Sequence, residues 1–368
     1  MKAILSMIPQ LIRASFENDM RTVEASSLTM IRKLKHDHPS IAEEIAKALS
    51  YHGVGAAVTR SVGIDPPPTD RDTFMSLARV EEPAINEPQI VLSEENSELI
   101  NRFIRERSLA EKLLAAGVKP PTSLLLHGPP GVGKTFLTSL LSYKLNLPLI
   151  TLDLASSISS YLGKTGQNLK KVIEYAQSTP SILFLDEFDA VAKRRDDPSD
   201  LGELKRIVNV LLKELEDWPS NSIVIAATNH ADMLDKAIWR RFDRAMEIGL
   251  PDLNARKMLW SNYLGSYLNS LDDNFLKVLA KVSEGRSAAD ISQLSERIIR
   301  QIIVDDIEPI ESIIYQLKTV TEVNKFNSLF AKTAKELLGK KVTQKTIASW
   351  LGISPSTLSH HLNANKEE

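Results

Sequence analysis

The stretch Gly128-Pro129-Pro130-Gly131-Val132-Gly133-Lys134-Thr135 decides the fold of this chain. It follows an apolar run at 124–126, typical of a buried parallel strand, and precedes residues 136–141, which have helical spacing. A glycine-rich loop between a strand and a helix is the context of a phosphate-binding P-loop. Its backbone N–H groups point into one concavity, and the helix N-terminus adds positive charge there. The alternative is a glycine-rich turn between two core elements.

The P-loop interpretation assigns a role to both residues at its end. Lys134 can reach the β- and γ-phosphates of a nucleotide, and the Thr135 hydroxyl can ligate Mg²⁺. We therefore expect ATP and Mg²⁺ as the bound groups. The predicted nucleotide contacts are Pro129, Pro130, Gly131, Val132, Gly133, Lys134, Thr135, Phe136 and Asp186, and the predicted metal ligands are Thr135 and Asp186.

Composition sets the protein class. The chain has 368 residues, 43% of them hydrophobic and 25% charged, which indicates a globular protein of about two or three domains. A net charge of −2 excludes a generally basic nucleic-acid binder but leaves room for a local basic patch. The absence of cysteine excludes a disulfide framework and a thiolate metal site, and it favours a cytoplasmic location. No stretch approaches the ~20 apolar residues of a membrane span, so we expect no membrane partner.

The predicted fold class is α/β, with a P-loop NTPase parallel sheet, helices on both faces and a small helical lid. Apolar residues at helical spacing predict an all-α N-terminal domain, which serves either packing and oligomerisation or partner recruitment. Prolines at 66–68, 83 and 88 predict an extended linker. The predicted order is an N-terminal helical domain (1–64), a linker (65–88), a large α/β domain (89–251), a lid (252–318) and a C-terminal trihelical domain (319–368).

Two carboxylates follow the apolar run at 182–185, which predicts a Walker B strand. Because the ends of parallel strands face one crevice, Asp186 is expected near the phosphates, where it can hold Mg²⁺ through water. Glu187 can orient the attacking water and polarise it. The alternative is a surface acidic pair in a turn.

A further predicted strand at 223–227 leads to Asn229, whose amide could bridge the γ-phosphate and the water. A simple turn residue is the alternative. Arg240 and Arg241 offer bidentate, permanently charged contacts to phosphate oxygens. From this position we expect neither arginine to reach its own nucleotide, and one of the pair could act on a neighbouring subunit's nucleotide. The alternative is a solvated basic pair.

The order and spacing of these motifs over residues 88–318 resemble the AAA+ ATPases, and within them the classical AAA clade. The residues that carry the resemblance are 128–135, 185–189, 226–229, 240–244 and 250–252. The resemblance implies ATP hydrolysis, with Glu187 as the catalytic glutamate and Asn229 as sensor 1. It implies that Arg240 and Arg241 are trans-acting arginine fingers. It also implies a ring, usually a hexamer, with ATP between subunits.

Two further details follow from the resemblance. Tyr161-Leu162-Gly163 is similar to the pore loop of the clade, in which an aromatic side chain grips an extended peptide. Taken without the family, Tyr161 is an ordinary loop tyrosine. The clade typically has no arginine at the sensor 2 position, so Arg286 is expected to be a surface charge.

Residues 344–362 resemble a helix-turn-helix of bacterial transcription regulators. Gly352 opens the predicted turn, Ser354 caps the second helix and Leu358 buries it. From residue 319 onward seven lysines face four glutamates, which gives a locally basic tail suited to double-stranded DNA. The alternative is a protein dock. The predicted DNA contacts are Ser356, Thr357, Ser359 and His360.

Two hypotheses of function follow. In the first, a ring-forming AAA ATPase remodels or unfolds a protein client, recruited by the N-terminal helices, while the C-terminal domain tethers the ring to DNA. In the second, a DNA-stimulated ATPase acts in a DNA transaction, in regulation or in anti-phage defence. A nucleotide-switched scaffold with negligible turnover is disfavoured by the complete set of Walker B and arginine motifs.

Overall fold

The structure is a computed structural model that divides into two compact units. It describes residues 7–16, 20–35, 38–51, 67–70, 76–154, 165–190, 211, 213–215, 218–268, 273–339 and 342–363. The first unit comprises Met1–Ile90, Glu94–Gly128 and Lys134–Ile248, and the second comprises Val91–Ser93, Pro129–Gly133 and Gly249–Glu368. Across the described ranges, no helix combines the length and the apolar character that a membrane crossing requires.

A six-stranded sheet forms the centre of the first unit, in the order β1-β3-β4-β5-β2-β6. The strands are β1 (Arg79–Glu81), β2 (Ser123–His127), β3 (Leu149–Asp153), β4 (Ile182–Asp186), β5 (Ile223–Thr228) and β6 (Arg244–Glu247). All pairings are parallel except that of β1 with β3. The α/β fold predicted from the sequence is therefore confirmed. The C-terminal ends of β2, β4 and β5 lie at one edge of the sheet, where the candidate site residues follow.

The central strands are apolar throughout because both of their faces are covered. The side chains of residues 182–185 in β4 and 223–226 in β5 have no exposed surface. Besides the sheet, the described part of the first unit contains helices with defined bounds. They are α1 (Ile8–Phe16), α2 (Met20–Leu34), α3 (Pro39–Tyr51), α4 (Glu94–Ser108), α5 (Ala110–Ala115), α6 (Lys134–Leu145), α7 (Thr165–Ser178) and α8 (Lys236–Trp239).

Part of the predicted linker belongs to the body of the first unit. Strand β1 lies within residues 65–88 and pairs with the edge strand β3. Asp70, also from this range, is buried and accepts a hydrogen bond from Asn168 Nδ2 at 2.9 Å. The prolines around β1 favour an extended chain, and the sequence does not show that an extended segment pairs with a sheet edge.

The N-terminal helices pack on helix α5 of the large domain. One apolar cluster joins Leu28, Ile31 and Leu34 of α2 to Leu114 of α5. Beside it, Arg32 Nε donates to the carbonyl of Gly117 at 3.0 Å. Gly117 has φ +76°, a conformation that glycine adopts without strain at the end of a helix. The α1–α3 segment is therefore a helical module fixed to α5 and the turn after it by both apolar and polar contacts.

The second unit consists of helices that share one core. They are α9 (Leu253–Leu264), α10 (Asp273–Val282), α11 (Ala288–Asp305), α12 (Pro309–Thr319), α13 (Val323–Leu338), α14 (Gln344–Leu351) and α15 (Pro355–Asn363). Phe275 of α10 contacts Phe330 of α13 and Trp350 of α14 edge-to-face, with ring centroids 6.4 and 5.9 Å apart. Lys318 Nζ of α12 donates to the carbonyl of Leu351 at 2.6 Å. The helices of the predicted lid and those after residue 318 thus form one packed body.

We predict that Phe275→Ala destabilises the lid and the C-terminal helices together. Removing this buried ring leaves a cavity between α10, α13 and α14, with an expected loss of about 3–5 kcal/mol in the free energy of unfolding. Denaturant titration followed by hydrogen-exchange mass spectrometry would measure the effect on peptides from α10 and α13. Tyr315→Ala, at a side chain that is 57% exposed, is the matched control and should change little. Faster exchange in α10 with unchanged exchange in α13 would contradict the shared core.

Candidate active site

The P-loop begins at a glycine that the fold requires. Gly128 has φ +142°, and a Cβ atom built there would collide with the backbone carbonyl of Ile248. The same two segments are joined by a hydrogen bond of 2.8 Å from the Ile248 N–H to the His127 carbonyl. Because β6 passes so close to the end of β2, only glycine lets the chain turn here into the loop.

Lys134 lies at the start of α6, and its side chain is only 8% exposed. Its ammonium donates to the Gly128 carbonyl and to Asn229 Oδ1, each at 2.7 Å. Pairing of His127 with Thr228 aligns β2 and β5, so the residues that follow the two strands meet. Burial lowers the pKa of the Lys134 ammonium, while the carboxylates of Asp186 and Asp189 oppose that shift. The structure therefore brings together Lys134 and Asn229 as a bonded pair.

Asp186 and Glu187 occupy the turn at the end of β4. Burial raises the pKa of the Asp186 carboxyl, opposed by the hydrogen bond from the Glu187 N–H at 2.9 Å. Glu187 is exposed and has φ +51°, which is unfavourable by about 1–2 kcal/mol for a residue with a side chain. The next residue, Phe188, is buried, and its N–H donates to the Ala227 carbonyl at 2.8 Å. The strained turn leaves the Glu187 carboxylate at the surface while the chain re-enters the core.

Asp189 is a functional candidate that the sequence analysis missed. It is buried, and its Oδ1 accepts from Thr228 Oγ1 at 3.1 Å and from the Asn229 N–H at 3.3 Å. These bonds hold the end of β5 and so fix the backbone of Asn229. The sequence signal was present as the third acidic residue of the 186–189 run, but spacing alone does not show which carboxylate turns inward.

Arg240 and Arg241 follow α8 and are both exposed. The segment that carries them is fastened by Asp243, whose Oδ2 accepts from the backbone N–H groups of Thr122 (2.6 Å) and Ser123 (3.0 Å). The arginine pair thus lies on a separate segment of the first unit, attached to the N-terminal end of the P-loop strand.

In the second unit, the tip of the P-loop contacts the start of α11. The Gly131 carbonyl accepts from the Ala289 N–H at 3.0 Å, and Gly131 itself has φ +76°. Ser287 and Asp290 form a capping box on the same helix turn. The loop carbonyl and the Ser287 hydroxyl thus satisfy the N–H groups of Ala289 and Asp290 in the first turn of α11.

Arg286 is not the surface charge that we expected. Its guanidinium donates to the Val320 carbonyl at 2.9 Å and to Thr321 Oγ1 at 2.7 Å. Burial lowers its pKa. The side chain therefore ties the segment before α11 to the segment before α13.

The donor set fits a nucleotide and its metal ion. Lys134 supplies a buried cation beside the glycine turn, which suits phosphate oxygens. Thr135 and Asp186 offer the hydroxyl and carboxylate oxygens that Mg²⁺ takes together with nucleotide phosphates. These two residues could therefore hold the metal, and Glu187 and Asn229 lie at the adjoining strand ends.

The remaining predicted site residues lie elsewhere. Tyr161, Leu162 and Gly163 fall outside the described residues. The four predicted DNA contacts Ser356, Thr357, Ser359 and His360 are all exposed on α15, whereas Leu358 is buried. The expected cap is confirmed, because Ser354 Oγ accepts from the Thr357 N–H at 3.1 Å.

Comparison with known proteins places the site within a family. The family model described as "ATPase family associated with various cellular activities (AAA)" matches residues 124–250. An uncharacterised AAA family ATPase of Sinorhizobium fredii is 35% identical over 229 residues, 61% of this chain and 67% of that protein. A proteasome-activating nucleotidase of Saccharolobus islandicus is 33% identical over 267 residues, 69% of this chain and 67% of that protein.

Other relatives share a smaller part of their length. The proteasome-activating nucleotidase of Methanothermobacter thermautotrophicus is 33% identical over 243 residues, 63% of this chain and 58% of that protein. The FIGL-1 AAA domain matches with a TM-score of 0.54 and 21% identity, covering 70% of this chain and 92% of that chain, which shows the fold alone. The family match contains the P-loop, both carboxylates, Asn229 and the arginine pair, and the chain belongs to the AAA family of ATPases.

Proposed function

We propose that this protein forms a ring, a hexamer, and couples ATP hydrolysis to the remodelling or unfolding of a protein partner. The observation that carries the proposal is the Lys134–Asn229 pair beside Asp186 and the strained Glu187. Relatives named proteasome-activating nucleotidases support work on a protein partner. The Tyr161-Leu162-Gly163 motif supports a grip on an extended peptide, and the N-terminal helices on α5 are the module that would recruit the client.

The proposed chemistry assigns one task to each group. Lys134 holds the β- and γ-phosphates, and the Asn229 amide contacts the γ-phosphate and the attacking water. Glu187 orients that water and accepts its proton, for which a surface carboxylate at a fixed turn is suited. Thr135 and Asp186 would hold Mg²⁺, which would neutralise phosphate charge. Arg240 and Arg241, exposed at the end of α8, stabilise the transition state on the neighbouring subunit.

A second function, DNA binding, is favoured by the geometry of α14 and α15. Gly352 has φ +59° and ends α14, and after a short turn Ser354 caps α15. Leu358 faces the core while Ser356, Ser359 and His360 are exposed, as on a helix that enters a DNA groove. We propose that these helices act as a helix-turn-helix that tethers the ring to duplex DNA. In the alternative, DNA bound there stimulates ATP hydrolysis in a DNA transaction.

We predict that Lys134→Ala abolishes ATP binding, since the phosphates lose their buried cation. Titration with a fluorescent ATP analogue would measure this. Lys144→Ala, at the other end of α6, removes a lysine that pairs with Glu87 and should bind ATP normally. Retained tight binding by Lys134→Ala would contradict the P-loop assignment.

We predict that Glu187→Gln binds ATP but hydrolyses it about 10²–10⁴-fold more slowly, because the amide accepts no proton from water. Stalled turnover should trap the assembled ring, visible by electron microscopy in the presence of ATP. Glu284→Gln, at an exposed residue after α10, is the control with normal turnover. Normal hydrolysis by Glu187→Gln would remove Glu187 from its proposed role.

We predict that the protein retards duplex DNA in a gel and that the Ser356→Ala/Ser359→Ala/His360→Ala variant binds at least about tenfold more weakly. Tyr315→Ala, exposed on α12 of the same unit, is the control. Binding equal to that of the unchanged protein would contradict DNA contact through α15. ATPase rates with and without DNA then separate tethering from stimulation, since only the second raises the rate.

A further inference from the structure

The arginine pair lies in the sequence between Trp239 and Asp243, whose side chains contact opposite ends of strand β2. On one side, Asp243 accepts hydrogen bonds from Thr122 and Ser123 at the N-terminal end of the strand. On the other side, Trp239 contacts His127, the last residue of the strand. We call residues 239–243 the arginine segment. Trp239 and Asp243 are four residues apart in the sequence, as are Ser123 and His127 at the two ends of β2. The segment therefore runs back along β2 with the arginines in its middle.

The contact at the C-terminal end is aromatic and edge-to-face. The ring centroids of His127 and Trp239 are 5.1 Å apart, with planes at 74°, which is a favoured arrangement for an aromatic pair. Burial lowers the pKa of His127, with Glu247 opposing the shift and Lys134 adding to it, which favours the uncharged imidazole. An uncharged ring is compatible with a close contact to the half-buried indole.

The contact between His127 and Trp239 connects the P-loop to the arginine pair. His127 directly precedes Gly128, whose carbonyl accepts from the ammonium of Lys134. Trp239 directly precedes Arg240 and is the last residue of α8. One side-chain contact therefore joins the first residue before the phosphate-binding loop to the first residue before the arginine pair.

A third contact, between Phe242 and Phe188, also holds the arginine segment, so we expect the segment to stay folded without Trp239. Phe242 is buried and packs edge-on against Phe188, with ring centroids 6.0 Å apart. Together with the Asp243 bonds, this contact holds the C-terminal side of the arginine segment in the core. On the N-terminal side, the partly buried Trp239 restrains the segment together with Ile238, which is buried in the same core.

We infer that Trp239, through its contact with His127, is a positioning residue that aims Arg240 and Arg241 at the neighbouring subunit's nucleotide. The inference rests on the proposed ring with trans-acting arginines. The P-loop of a subunit and the arginines that it offers to its neighbour are then linked by one aromatic pair.

The first test separates the rate of the chemical step from nucleotide affinity. Trp239→Ala should lower kcat about 10–100-fold, less than the ~10³-fold or greater loss expected without the arginines, with the KM for ATP nearly unchanged. Trp239→Phe keeps an aromatic edge contact and should recover most of the rate. The His127→Ala/Trp239→Ala double variant should be no slower than the slower single variant, because both remove one contact. Additive losses, or loss of ATP binding by Trp239→Ala, would overturn the inference.

Mixed rings provide the second test. Subunits with Trp239→Ala keep an intact catalytic site, and subunits with Glu187→Gln keep correctly aimed arginines. Mixing the two should therefore restore hydrolysis at Trp239→Ala sites, whereas mixing Trp239→Ala with Arg240→Ala/Arg241→Ala subunits should not. The reference is Arg240→Ala/Arg241→Ala mixed with Glu187→Gln, which the proposed trans arginines require to be active. If the reference mixture is active but Glu187→Gln subunits do not rescue Trp239→Ala subunits, only the positioning role of Trp239 is overturned. If the reference mixture is inactive, the proposed function with trans-acting arginines is contradicted.

Discussion

The bonds from the Lys134 ammonium to the Gly128 carbonyl and the Asn229 amide are the interaction around which the site is built. A charged group with little exposed surface requires close acceptors, because burial without them is costly. Those acceptors exist only because β5 lies beside β2 in parallel and because the chain turns sharply at Gly128. The neighbouring strand β4 adds the carboxylates that keep the cation favourable. Sheet order, glycine conformation and charge balance therefore depend on one another.

Much of this site is visible in the sequence, because its strands are apolar runs that end abruptly in polar residues. The run before Asp186 and the run before Asn229 each indicate a buried strand and identify the side chains at its tip. The contact between Lys134 and Asn229 cannot be predicted from the sequence, because it depends on which strands are neighbours in the sheet. The inward turn of Asp189 and the positive φ of Glu187 depend on how the chain after β4 re-enters the core.

The sequence is less informative where elements are short or lie at an edge. Strands β1 and β6 have three and four residues and no apolar run, and only pairing with β3 and β2 makes them strands. In the second unit, the apolar pattern predicts the helices but not their common core. The lid and the helices after it share Phe275 as a contact, and Arg286 joins their connecting segments.

The left-handed backbone of Glu187 has an evolutionary consequence. Glycine would relieve the strain at this turn, by up to about 1–2 kcal/mol, but it would delete the carboxylate. With the proposed role of Glu187, selection for stability alone would therefore favour a protein without activity. In the proposed mechanism, stability and ATP hydrolysis thus place opposite demands on the same residue.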